Sequence, residues 1–201
     1  DYAADRLKSV QTPEGTTTYY EYSRGSYTPN SGSMGTFAGT SGTYARHVIT
    51  HGASPDEDGK DLIQYGSTQE VYIYDDSGRE LEYQYRVYTS ERNSYGSTNT
   101  VFSVMDWRVT TYDSIGRWKT KHYRNGAFET EDYLNCCSRT HTDPDGVTVE
   151  YTLNGLGQVI KKEKKGAEAL PVQNSIFTIY EYDASGNLVR QSIQNSEVNP
   201  T

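Results

Sequence analysis

Cys136 and Cys137 stand side by side in this chain, and adjacent thiols can close a vicinal disulfide or work as a redox pair. Such a ring is strained and its geometry atypical, so two free thiols in a turn are the simpler reading. His122 and His141 could complete a soft metal set with them, but the Cys-x₂₋₄-Cys spacing of zinc sites is missing and no metal is assigned. His47 and His51 are four apart and would share a metal on one face of a helix. The glutamate of a His-Glu-x-x-His helix is absent and Val48-Ile49-Thr50 favours a strand, so both read as packed or solvent-facing. Asp56, Glu57, Asp58 and Asp61 surround Gly59 in an oxygen-rich loop. It lacks the Asp-x-Asp-x-Asp-Gly order and distant Glu of a calcium loop. Asp143 with Asp145, and Asp75 with Asp76, are paired carboxylates of the kind glycoside hydrolysis uses. Both pairs lie in turn sequences, where a carboxylate already has a structural role. There is no Gly-x-Ser-x-Gly elbow, phosphate-binding glycine loop or triad. The chain reads as non-enzymatic and without a cofactor.

The tyrosines are the remaining candidates. There are 19, and Tyr19, Tyr20, Tyr22, Tyr72, Tyr74, Tyr83, Tyr85, Tyr180 and Tyr182 fall in strand-like runs. A ladder of flat rings can stack on the apolar faces of sugars, which makes Tyr83 and Tyr85 candidate carbohydrate contacts. The same ladder also packs neighbouring hairpins together, at about 0.2–1 kcal/mol per cross-strand pair. Recurrence of Tyr in register with the turns favours packing.

Strands and turns must position these side chains. Leu, Ile, Val and Phe make up under a fifth of the 201 residues, and the net charge is −8. On those two figures alone the composition would suggest disorder. The tyrosines offset this, because they bury large faces while keeping a polar tip. With abundant Thr and Val for strands and Gly for turns, an all-β chain is expected. Alternation agrees. Leu81, Tyr83, Tyr85 and Val87 share one face and Glu80, Glu82, Gln84 and Arg86 the other, so one face should be packed and the other wet. Val147, Val149 and Tyr151 oppose Thr148, Glu150 and Thr152 in the same way. Glycines at 116, 126, 146, 157, 166 and 186, with turns at Asn135-Cys136-Cys137 and Gln173-Asn174, space the turns about ten residues apart, the signature of an antiparallel meander. Lys161 to Leu170 has helix formers, but Gly166 interrupts them.

The acidic balance argues against a nucleic-acid partner. No apolar run is long enough for a transmembrane helix. No basic start leads into an apolar run, so no signal peptide is read. A chain opening at Asp1 is expected to be processed or excised, with any secretion signal upstream.

The turns also repeat in sequence. Tyr74-Asp75-Asp76-Ser77-Gly78-Arg79, Tyr112-Asp113-Ser114-Ile115-Gly116-Arg117 and Tyr182-Asp183-Ala184-Ser185-Gly186-Asn187 are three copies, and Leu153-Asn154-Gly155-Leu156-Gly157-Gln158 is a degenerate fourth. Thr142-Asp143-Pro144-Asp145-Gly146-Val147 leads into Tyr151, and Thr12-Pro13-Glu14-Gly15 leads into Tyr19, Tyr20 and Tyr22. In the Tyr-Asp copies the Tyr would end a strand, the Asp accept backbone N–H bonds and the Gly supply positive φ.

Over residues 5–22 and 70–193 this pattern resembles the YD repeat of the RHS family, which includes polymorphic toxins, insecticidal toxin-complex subunits and teneurins. The resemblance implies stacked hairpins spiralling into a shell around a toxin domain, or capping a surface ectodomain. Flanking repeats of one parent chain would be the partners, with an enclosed toxin domain or a surface glycan beyond them. Secretion or the cell surface would be the location. The family's self-cleaving aspartyl region is not found, which leaves processing by this segment without support. The organisation read from the sequence is a first repeat hairpin over 1–22, an insertion over 23–69, a YD-repeat sheet over 70–193 and a tail over 194–201. Within the insertion, the Gly/Ser/Thr-rich Ser23 to Thr43 is either a flexible insertion, the preferred reading, or a Gly-rich strand pair.

Overall fold

A computed structural model describes residues 2–3, 6–55, 61–62, 67–92, 98–165 and 175–195. All of their regular structure is β. The chain divides into two compact units, Asp1–Thr110 with His122–Gly126, and Thr111–Lys121 with Ala127–Thr201.

The first unit holds β1 (Tyr2–Ala3), β2 (Arg6–Leu7), β3 (Ser9–Gln11), β4 (Thr17–Asn30), β5 (Ser33–Ala38), β6 (Tyr44–Pro55), β7 (Asp61–Leu62), β8 (Thr68–Tyr74), β9 (Glu80–Arg92) and most of β10 (Thr98–Tyr112). Its strands run in the order β3-β4-β6-β8-β9-β10, each antiparallel to the next. The second unit holds most of β11 (Trp118–Tyr123), then β12 (Phe128–Asn135), β13 (Ser138–Thr142), β14 (Thr148–Leu153), β15 (Val159–Lys165), β16 (Ile176–Tyr182) and β17 (Leu188–Asn195). Each of these strands lies beside its neighbour in sequence. In each unit the strands form an open meander, and in the second the turns fall about every ten residues. The helix formers from Lys161 to Lys165 lie in β15, where pairing with β14 and β16 overrides their local preference.

The stretch Ser23–Thr43 forms strands. β4 pairs with β6 from Thr17 to Gly25, then changes partner and pairs with β5 from Ser26 to Asn30. The β4–β5 hairpin thereby folds back over one face of the sheet. Its glycines are the reason it fits. A Cβ on Gly35 would lie 2.6 Å from the Tyr27 ring, and one on Gly42 would lie 2.1 Å from the Gly25 carbonyl oxygen. The Gly/Ser composition that suggests flexibility on paper is here a demand for close approach.

This hairpin reverses the expected burial of β9. Glu82 is fully buried and Gln84 nearly so, while Tyr83 and Tyr85 on the opposite face are half-buried. Alternation separates the two faces correctly but does not say which one receives a second layer. The core beneath the hairpin is Tyr27, Val48, Val71, Ile73 and Val109 with Glu82 among them.

The second unit is thinner. Among its described residues only Val149 and Glu131 are buried. Cation–aromatic contacts between nearby strands cover its face: Arg139 over Tyr151 at 4.6 Å, Lys161 over Phe177 at 4.4 Å and Arg117 over Tyr133 at 3.8 Å from the ring centroid.

Candidate functional site

The repeated turn is one five-residue module. In the turn between β8 and β9, Asp75 Oδ1 accepts the N–H groups of Ser77 and Arg79 at 3.0 and 2.9 Å. The Asp75 N–H bonds the Arg79 carbonyl, the Gly78 N–H bonds the Asp75 carbonyl, and Gly78 sits at φ +78°. Asp113, Asp143, Asn154 and Asp183 repeat these four bonds with distances of 2.8–3.0 Å, and Gly116, Gly146, Gly157 and Gly186 all have positive φ. The Tyr-Asp turns, the Asp-Pro turn and the degenerate Asn turn are therefore the same structure. Thr12-Pro13-Glu14-Gly15 keeps the backbone bonds with Thr in the acid's place. The polar residue after the glycine has a reason too. Arg79 and Arg117 each return Nε to Oδ2 of their aspartate at 2.7 Å, and Asn187 Nδ2 does the same to Asp183 at 3.0 Å.

These bonds lower the Asp75, Asp113 and Asp183 carboxyls. Burial pushes the Asp75 and Asp113 carboxyls up, but the Arg79 and Arg117 N–H groups and guanidiniums outweigh it and leave both below the ordinary carboxylate range. Asp183 is lowered first by the Asn187 side chain, then by the Asn187 N–H. The pairs Asp75–Asp76 and Asp143–Asp145 thus each contain a carboxylate oxygen already filled by backbone donors.

The tyrosines form a continuous row on the outer face of the first unit. Tyr22, His47, Tyr72, Tyr83 and Arg108 are aligned in register across β4, β6, β8, β9 and β10. Ring centroids lie 4.9 Å apart for Tyr22–His47, 4.9 Å for His47–Tyr74, 6.2 Å for Tyr74–Tyr72 and 5.1 Å for Tyr72–Tyr83. Arg6 and Arg108 close the two ends over Tyr22 and Tyr83. Burial raises the Tyr72, Tyr74 and Tyr83 phenols, Glu70 raising Tyr72 and Tyr83 further and Glu80 raising Tyr74, so all three stay protonated. Tyr85 lies in the adjacent register row, between Glu70 and Asp106. Most of these ring pairs are tilted or edge-on, as cross-strand packing produces.

His47 and His51 belong to the same face. His47 is wedged between Tyr22 and Tyr74, and burial followed by the Arg6 charge lowers its pKa. His51 bonds Thr18 Oγ1 at 3.2 Å and lies 3.6 Å from Glu70. Cys136 and Cys137 form the two-residue turn between β12 and β13 as free thiols, with sulfurs 3.0 Å apart and the Cys137 N–H on Asn135 Oδ1. Contact with Cys136 and partial burial raise the Cys137 thiol. His141 bonds Glu131, which also receives Arg139. Among the described residues no group of three His, Cys, Asp or Glu is placed to hold a metal ion. Asp56, Glu57, Asp58 and Gly59 lie outside the described residues, as do Gly166 and Gln173-Asn174.

Sequence reasoning missed the polar network under the β4–β5 hairpin. Glu82 Oε2 accepts the Tyr27 hydroxyl and the Gly35 N–H, each at 2.7 Å, and Oε1 accepts Gln84 Nε2. Gln84 Oε1 in turn accepts Arg86 Nε at 2.8 Å. Burial and Glu82 raise the Tyr27 phenol strongly. The one sequence signal for this network is glycine at 25, 35 and 42, a spacing that lets a hairpin close on a sheet.

The sequence matches no family model and no curated protein. Among solved structures the chain is similar to TcdB2-TccC3, with 16% identity, a TM-score of 0.38, and coverage of 74% of this chain and 10% of that one. It is similar also to TcdB2-TccC3-TEV, with 15% identity, a TM-score of 0.37 and the same coverage. The chain therefore spans about a tenth of the length of these structures.

Proposed function

We propose that this chain is a non-enzymatic YD-repeat segment of a large secreted or cell-surface protein, forming part of a β wall that encloses or presents other domains. The recurrent turn carries this reading. At Asp75, Asp113, Asp143, Asn154 and Asp183 the residue that looks chemical is spent on two backbone N–H groups, so what recurs along the chain is a building unit. A single hairpin cannot bury its own face, and stacking on neighbours supplies the missing core. Among the described residues β17 pairs with β16 alone, and an edge of this kind suits pairing with a flanking repeat. The test is peptide mapping of the native parent chain, with hydrogen exchange across β17 in parent and isolated segment. Further turns of this module and slower exchange of β17 in the parent are expected. A parent without them overturns the proposal. A cleaved junction followed by a small separate domain would identify the enclosed cargo as a toxin domain.

A second reading is a carbohydrate-binding face, favoured by the half-exposed row ending at Tyr83, with Tyr85 beside it. Replacing Tyr83 and Tyr85 by Ala separates the two. Loss of fold supports scaffold packing; a retained fold with lost glycan retention supports the binding face.

A further inference from the structure

The β4–β5 hairpin and the sheet it covers leave an open cleft of about 250 Å³, lined by Gly35, Thr36, Phe37, Arg46, Gln84 and Arg86 over Val71 and Ile73. We infer that this cleft binds a small oxyanion, a carboxylate or a phosphate, between the Arg46 and Arg86 guanidiniums.

The argument starts from charge. Two guanidiniums line one partly closed space, and among the described residues neither has a carboxylate within ion-pair distance. Arg86 spends Nε and Nη2 on Gln84 Oε1 and one Nη1 hydrogen on Gln69 Oε1 at 3.4 Å, all neutral acceptors. Of its five N–H donors, two remain without a bond among the described residues. Arg46 lies over the Phe37 ring at 5.8 Å. Burial and the nearby Arg46 charge both work against the Arg86 cation, and Glu82 works for it. Among the described residues Glu82 is the acidic group that acts on Arg86, and its oxygens already accept Tyr27, Gly35 and Gln84. Among the described residues the cleft thus sets two guanidiniums against one carboxylate that already accepts three hydrogen bonds, and Arg86 keeps N–H donors that no protein group takes.

Guanidinium forks match the geometry of carboxylate and phosphate oxygens. The volume falls below the roughly 300–1,000 Å³ of pockets for larger ligands, so a small anion suits it. Phe37 offers one apolar wall for a short carbon body.

The test is calorimetric titration of the folded 201-residue chain with inorganic phosphate and, separately, with acetate, followed also at the arginine Nε–H signals by NMR. Saturable binding of at least one anion is expected, and the tighter one names the class. Arg46→Gln and Arg86→Gln should each weaken it about tenfold or more, the effect of losing a charged hydrogen bond. Arg24→Gln, an exposed arginine on the Thr43 carbonyl, should leave binding unchanged. Arg46 takes no part in the hydrogen-bonded chain to Glu82, so Arg46→Gln remains informative if Arg86→Gln unfolds. No saturable binding of either anion, or equal binding by wild type and Arg46→Gln, overturns the inference.

Discussion

Replacing Tyr27 by Phe deletes one hydroxyl and keeps the ring that fills the space beneath the β4–β5 hairpin. That hydroxyl donates to Glu82 Oε2 at 2.7 Å, and Glu82 is fully buried. The variant leaves Oε2 with the Gly35 N–H alone. A hydrogen bond to a charged group contributes about 1.5–3 kcal/mol, and water cannot replace it at a site with no exposure. Because the hairpin belongs to one of two compact units, a global melt reads it only indirectly. Hydrogen exchange at the Gly35 amide reads the hairpin directly. The stated energy corresponds to protection falling roughly ten- to hundred-and-fifty-fold at that amide. Amides of β14 to β16 in the second unit should not change. Tyr20→Phe, on the half-exposed outer face, is the control and should leave Gly35 protected. If Tyr27→Phe changes Gly35 protection no more than Tyr20→Phe does, the hairpin is not anchored through Glu82 and the account of the inverted burial fails.

Two further outcomes follow from the turns. Asp75→Ala removes the acceptor for the Ser77 and Arg79 N–H groups and should cost about 1–2 kcal/mol by urea unfolding, as loss of a helix N-cap does. Asp75→Asn should cost clearly less, since Asn154 makes the same backbone bonds with an amide; equal losses would mean that the Arg79 ion pair, not the turn, is what matters. The pH dependence has a defined sign. Asp75, Asp113 and Asp183 titrate lower in the folded chain than the usual value of about 4, so the unfolded chain takes up protons first on acidification. Their stabilisation is complete above that value and is lost as pH falls through the lower folded values. A urea midpoint that stays flat from pH 5 to about pH 2 would contradict the turn geometry.

Local chemistry was legible in the sequence. An Asp or Asn three residues before a glycine specifies its turn with bonds inside five residues, so Asp75, Asp113, Asp143, Asn154 and Asp183 could be found without a fold. Strand alternation is equally local, and it separated Tyr83 and Tyr85 from Glu82 and Gln84 correctly. Which of those two faces would be covered was not legible, because it depends on where a hairpin some fifty residues upstream lands. Tyr27 reaches Glu82 across 55 positions, and Gly35 reaches it across 47. Burial of a carboxylate is affordable only when donors converge on it, and donors so distant in sequence leave no periodic trace. The same holds for Arg46 and Arg86, which are ordinary strand arginines until the hairpin encloses them. The sequence alone determined the repeating turn and the antiparallel meander, since both rest on backbone bonds between near neighbours. Only the tertiary structure decided which polar side chains went inside, because that depends on long-range contacts that no local pattern encodes.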